Sequence, residues 1–223
     1  MKDWRLIYII FAKSEDKLYI SNKNRQAYFV LLSVCIIFVR INLKNCNVMF
    51  DKETYVQRRA LLKKNIGSGV LLFLGNDEQG LNYEDNAFRY RQDSTFLYYF
   101  GLSFAGLSAI IDIDEDKEII FGDELTIDHI VWMGTQPTLK EKSERVGIRE
   151  TLPSAAIISY LHKAVQKGQT VHYLPPYRPE HKLKLMDWLG IPPARQEGSV
   201  PFIRAVVAQR NYKSAEEIAE IEK

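Results

Sequence analysis

LSAIIDIDEDKEIIF, Leu107 to Phe121, is the stretch that decides the fold. Two apolar runs, Leu107–Ile113 and Glu118–Phe121, flank the polar Asp114-Glu-Asp-Lys117. That pattern predicts a hairpin. Upstream, Val70–Gly75 (VLLFLG) follows Gly67-Ser-Gly69 and reads as a buried strand. Asp51 can cap a helix carrying the apolar stripe Tyr55, Ala60, Leu61 and Leu62, which Gly67 stops. Asn76 to Asn86 reads as a loop, and the aromatic Thr95–Leu102 (TFLYYFGL) as a strand.

Downstream of the hairpin, Asp128–Met133 reads as a short strand or helix edge and Thr138–Val146 as a helix. Ser154–Lys167 is an amphipathic helix ended by Gly168, and Thr170–Leu174 is a strand closed by Pro175-Pro176. Pro179–Leu189 reads as a helix and Phe202–Ala208 as a last strand. Ser214 and Glu217 form a capping box that opens one more helix. Strands alternating with helices around a central hairpin give an α/β class: a mixed β-sheet flanked by helices.

The chain has 223 residues, of which 46% are apolar and 26% charged, so a disordered or low-complexity class is excluded. Its net charge of +2 gives no bulk attraction for nucleic acid. That charge is unevenly spread. Residues 1–48 carry +5 and both cysteines, Cys35 and Cys46, while residues 49–223 carry −3 and no cysteine, which suits a reducing compartment. Ala27–Val39 is apolar, and counting to Leu43 makes residues 27–43 a candidate membrane anchor. Thirteen residues span about 20 Å as a helix, short of a hydrocarbon core of about 30 Å. The favoured expectation is instead that translation begins at Met49 and that residues 1–48 form an extension outside the domain.

The sequence offers little chemistry. His129, His162, His172 and His181 do not pair at zinc-site spacing, and there is no P-loop, G-x-G-x-x-G or G-x-S-x-G. The acidic run from Asp112 to Asp123 has Lys117 where a calcium loop needs glycine, so it reads as a solvated turn. One stretch stands out: Phe88-Arg-Tyr-Arg91-Gln-Asp93, running directly into the aromatic segment. An ion pair from Arg89 or Arg91 to Asp93 or a nearby carboxylate would pin the loop; the other reading makes Arg91 and Asp93 a cleft wall.

Three motifs in order carry a family resemblance. FRYRQDSTFLYYFGL (88–102), Ile130-Val-Trp132-Met-Gly134 with Arg145-Val-Gly-Ile148, and Arg210-Asn-Tyr-Lys-Ser-Ala-Glu-Glu-Ile218 resemble the amino-terminal domain of Xaa-Pro aminopeptidases (aminopeptidase P, creatinase/prolidase superfamily). The likeness runs from about Met49 to Lys223. It implies a ribonuclease H-like, creatinase-type domain over 49–208. Residues 209–223 would then be the linker and first helix toward a catalytic pita-bread domain lying beyond this sequence. It further implies hydrolysis before proline by two divalent metals, usually manganese, held by that other domain and not by this chain. On this reading no residue here is catalytic. Trp132 matches a tryptophan at the mouth of a neighbouring subunit's active site, and Arg91 and Asp93 shape the cleft. The expected partners are the chain's own catalytic domain, further copies in a homo-oligomer and proline-containing peptides, with no nucleic acid, in the cytoplasm. A prolidase domain is the nearer alternative; a truncated dimerisation or peptide-binding module is the other.

Overall fold

The computed structural model describes residues 48–83, 86–127, 130, 131, 134 and 136–223. The hairpin forms as read: β2 (Ser108–Asp112) pairs antiparallel with β3 (Lys117–Phe121). Its other neighbour is β1 (Val70–Leu74), also antiparallel, and β5 (Val171–Tyr173) lies parallel beyond β1. A short strand absent from the sequence reading, β4 (Glu150–Leu152), runs parallel to β3. The order β4-β3-β2-β1-β5 leaves β2 as the one strand opposed to four that share a direction.

Because side chains alternate across a strand, the apolar runs supply two cores at once. Leu71, Phe73, Ala109, Ile111 and Ile120 face one side. There they meet α1 (Lys52–Ile66), α2 (Ser94–Phe100), α3 (Leu139–Glu144) and α6 (Val200–Arg210). Val70, Leu72, Ile110, Ile119 and Phe121 face the other side, covered by α4 (Ala156–Gln166) and α5 (Pro179–Leu189). The last helix is α7 (Ala215–Ile221), whose Ser214–Glu217 capping box forms as the sequence predicts.

Two predicted strands are helices. Thr95–Leu102 lies largely within α2, where Phe96, Tyr99 and Phe100 fall at the i, i+3, i+4 spacing of one helical face and are fully buried. Asp93 caps its start, and Gly101 ends it at φ 63°, where an added Cβ would lie 2.4 Å from the Tyr55 ring. Aromatic strand propensity is outweighed here by the caps and by packing on Phe73. Phe202–Ala208 is likewise helix: Phe202, Ala205 and Val206 form the buried stripe of α6, with Pro201 in its first turn.

The stripe of α1 also differs from the expected one. Tyr55 and Leu62 are buried as read, but Ala60 and Leu61 are exposed, and Arg58 and Arg59 lie inside. Asp51 occupies the cap position without a side-chain hydrogen bond. The readings at 27–43 and, in part, at Asp128–Met133 fall outside the described residues. Among the described residues no helix is long and apolar enough to cross a membrane.

Candidate functional site

The Phe88–Leu102 motif is organised by its glutamine. Gln92 is buried, and its Oε1 accepts from the backbone N–H of Asn76 at 2.8 Å and of Asp93 at 2.9 Å. Its Nε2 donates to the carbonyls of Phe104 at 3.0 Å and Leu102 at 3.3 Å. One side chain thus ties the exit of β1 to both ends of α2. Asn76 adds to this by donating its amide to the Arg91 carbonyl at 2.8 Å. Asp93 accepts from the N–H groups of Thr95 and Phe96, both at 2.9 Å, satisfying two donors at the start of α2. The Arg91 side chain is exposed, and no ion pair joins Arg89 or Arg91 to Asp93 among the described residues. Arg91 and Asp93 therefore flank a buried polar knot without pairing. Trp132 lies outside the described residues.

The first and third sequence motifs meet at α2. Arg210 donates to the Thr95 hydroxyl at 2.9 Å, and the Tyr99 hydroxyl donates to the Gln209 side chain at 2.8 Å. Gln209 in turn donates to the Arg58 carbonyl at 3.0 Å. Arg58, 7% exposed, bonds the Tyr98 carbonyl at 2.9 Å and stacks 4.0 Å from the Tyr98 ring and 4.7 Å from Phe50. Its other nitrogen lies 3.7 Å from Glu217, the cap-box residue of α7. The segment Arg210–Glu217 is thereby clamped to the body of the domain at both ends.

The sequence reading passed over Gln92, Arg58 and Arg59. For Arg59 a signal existed: it shares the i, i+4, i+7 stripe with Tyr55 and Leu62.

The histidines serve the frame. His172 Nδ1 lies 2.6 Å from the Ser199 hydroxyl, a contact that pins the segment before α6 to the edge strand β5, whose Tyr173 carbonyl accepts from Ser199 N–H at 2.8 Å. His181 is buried, and its Nε2 donates to the Gly75 carbonyl at 3.0 Å. Burial pushes its pKa below 6.5, with the Lys184 charge acting the same way. The unfolded chain then takes up the proton more readily than the folded one. Stability contributed by neutral His181 is present above about pH 6.5 and drains away as pH falls toward the lower folded value. The urea midpoint is expected to fall between about pH 7.5 and about 5.5, with a shallower slope for His181→Gln, which keeps a donor for Gly75. Equal slopes in the two proteins would remove His181 from this role. His172, lowered by burial as well, accounts for residual slope.

Among the described residues no three His, Cys, Asp or Glu side chains converge as a metal site. These residues do not fit a two-metal centre, and no chemical step through a metal is assigned to them.

A two-faced mixed sheet, an aromatic helix capped by Asp93 beside the Gln92 knot and a last helix tied to the body at its start define a creatinase-type amino-terminal domain. Residues 55–173, more than half the chain, match the family described as "Aminopeptidase P, N-terminal domain". The chain belongs to that family. It is similar to a Chaetomium globosum protein named "Probable Xaa-Pro aminopeptidase", 29% identical over 112 residues, covering 48% of this chain and 18% of that one. It is also similar to the human Xaa-Pro dipeptidase, 33% identical over 76 residues, covering 33% of this chain and 15% of that one. The structure of Pseudomonas aeruginosa aminopeptidase PepP shares the fold at TM-score 0.64 and 22% identity, over 78% of this chain and 41% of that one. The matched segments thus span less than a fifth of these curated relatives.

Proposed function

We propose that this domain is the non-catalytic partner of a hydrolase that releases the residue preceding proline from a peptide amino terminus. The observation that carries this reading is the clamp on Arg210–Glu217. Arg210 on Thr95 and Glu217 beside Arg58 tie the start of α7 to the body of the domain, as a domain needs if it is to set a following catalytic domain against itself. In this reading residues 49–208 are the domain, 209–223 lead toward the pita-bread domain, and 1–48 lie outside both. That second domain holds two manganese ions and supplies the reaction. Arg91 and Asp93, beside the Gln92 knot, and Trp132 from a neighbouring copy shape the cleft that admits the proline-containing peptide. The assembly is a cytoplasmic homo-oligomer; a body of 175 residues without cysteine suits that setting.

The 223-residue chain incubated with manganese and a Gly-Pro or Arg-Pro peptide is expected to release no amino acid. Measurable turnover would refute the non-catalytic assignment. The likeness to the human Xaa-Pro dipeptidase favours a second reading, in which the partner enzyme cleaves only dipeptides. Joined to a catalytic domain, the assembly cleaves Xaa-Pro tripeptides in the first reading and leaves them intact in the second.

A further inference from the structure

Four strands share a direction, so their carboxyl ends gather at one edge of the sheet, the place where open α/β sheets hold ligands. A cleft of about 390 Å³ opens there, within the range of about 300–1,000 Å³ usual for small-molecule sites. Each parallel strand sends a wall to it. The chain after β1 brings Asp77, the end of β3 brings Phe121 and Asp123, the turn after β4 brings Ser154, and the helix after β5 brings Lys184 and Trp188. None of these belongs to the Gln92 knot or to the clamp on α7.

The walls carry both signs of charge over an apolar floor. Lys184 binds Asp77 at 2.7 Å and stands 6.0 Å from the Trp188 ring. Lys184 reaches both Asp77 oxygens, at 2.7 and 2.8 Å, and since an ammonium has three donors one N–H is left over. On the other side the Asp123 carboxylate accepts from both the N–H and the hydroxyl of Ser154, which fixes its orientation. A carboxylate offers about four lone-pair sites, so Asp123 keeps acceptor capacity after both bonds. Trp188 and Ile158 share the lining, and both pack against the core of that face.

We propose that this cleft binds a small zwitterion with an apolar side chain, an α-amino acid or a dipeptide. Lys184 receives the carboxylate, Asp123 receives the ammonium, and the side chain lies on Trp188 and Ile158. These walls carry the assignment alone, so failure of the hydrolase reading would leave it standing.

The test is an NMR titration of the 223-residue chain with L-leucine, leucyl-proline, N-acetyl-leucine and leucinamide. Leucine or leucyl-proline is expected to shift the Trp188 indole N–H and the Ser154 amide saturably, and whichever binds tighter identifies the source. N-acetyl-leucine lacks the ammonium and leucinamide the carboxylate. Each is expected to bind at least about tenfold more weakly, the factor one charge-assisted hydrogen bond supplies. Lys184→Gln is expected to weaken leucine by a similar factor while sparing the rest of the spectrum. Absence of saturable shifts up to the solubility of leucine, or binding of either blocked analogue as tightly as leucine, would overturn the proposal. If Lys184→Gln disturbs the fold, the analogue series on the unaltered chain still decides.

Discussion

Arg59→Met is expected to lower the unfolding free energy by about 3 kcal/mol, read from the urea midpoint at neutral pH. Arg59 is fully buried, and its fork spends its donors on three elements. Nε bonds Glu118 on β3 at 2.7 Å, Nη1 the Tyr99 carbonyl of α2 at 2.9 Å, and Nη2 the Val146 carbonyl after α3 at 2.8 Å. Breaking a buried pair costs about 3–5 kcal/mol because the surviving partners stay desolvated. Two features set this case at the low end. Glu118 is 18% exposed and keeps Lys63 at 3.1 Å, so its charge is not stranded. Methionine also fills much of the apolar space beside Phe100. The two carbonyls lose their donors outright. Arg59→Lys is expected to recover only part of the loss, since one ammonium does not reproduce a planar fork aimed at three acceptors. A loss below about 1 kcal/mol for the methionine variant would show that this fork is incidental to the fold.

What the sequence discloses here depends on whether a residue acts through periodicity or through its partners. The hairpin was legible because β2 and β3 are apolar runs joined by a turn, and Ser214–Glu217 because a capping box is written within four residues. α2 was misread because Phe96, Leu97, Tyr98, Tyr99 and Phe100 satisfy strand propensity on composition alone; only the burial of Phe96, Tyr99 and Phe100 on one side reveals the helix. β4 is three residues long and owes its existence to the open edge of β3. At the candidate site the motif was visible but its centre was not. Arg91 and Asp93 carry charge and draw the eye, whereas Gln92 acts through Asn76, Leu102 and Phe104, whose proximity exists only once β1 and α2 are packed. The carboxyl-edge cleft is likewise built from five separate segments and has no linear signature.

Gln92 gives the second large effect, and for one of its variants the size of that effect depends on pH. Gln92→Leu keeps approximate size but leaves two N–H groups and two carbonyls with no partner in a closed space. Each such group costs about 1–3 kcal/mol, and relaxation and water entry recover some of it, so a net loss of about 3–4 kcal/mol is expected. Hydrogen exchange at the Asn76 and Asp93 amides should accelerate with it, because both lose their acceptor. Gln92→Glu separates polar chemistry from space filling. The introduced carboxylate still accepts from Asn76 and Asp93 but turns lone pairs toward Leu102 and Phe104. Its protonated form restores a donor for one of them. The folded state therefore favours the acid form and raises the introduced pKa above the unfolded value of about 4.3. A raised folded pKa contributes stability that is complete below the unfolded value and is lost as pH rises through the folded one. The deficit of Gln92→Glu against the native chain should accordingly widen from about pH 4.3 upward and then level off, while that of Gln92→Leu stays flat. If both deficits are flat, the side chain at position 92 only fills space. The knot that fixes Arg91, Asp93 and the start of α2 must then reside in Asn76 and the aromatic packing of α2 on Phe73.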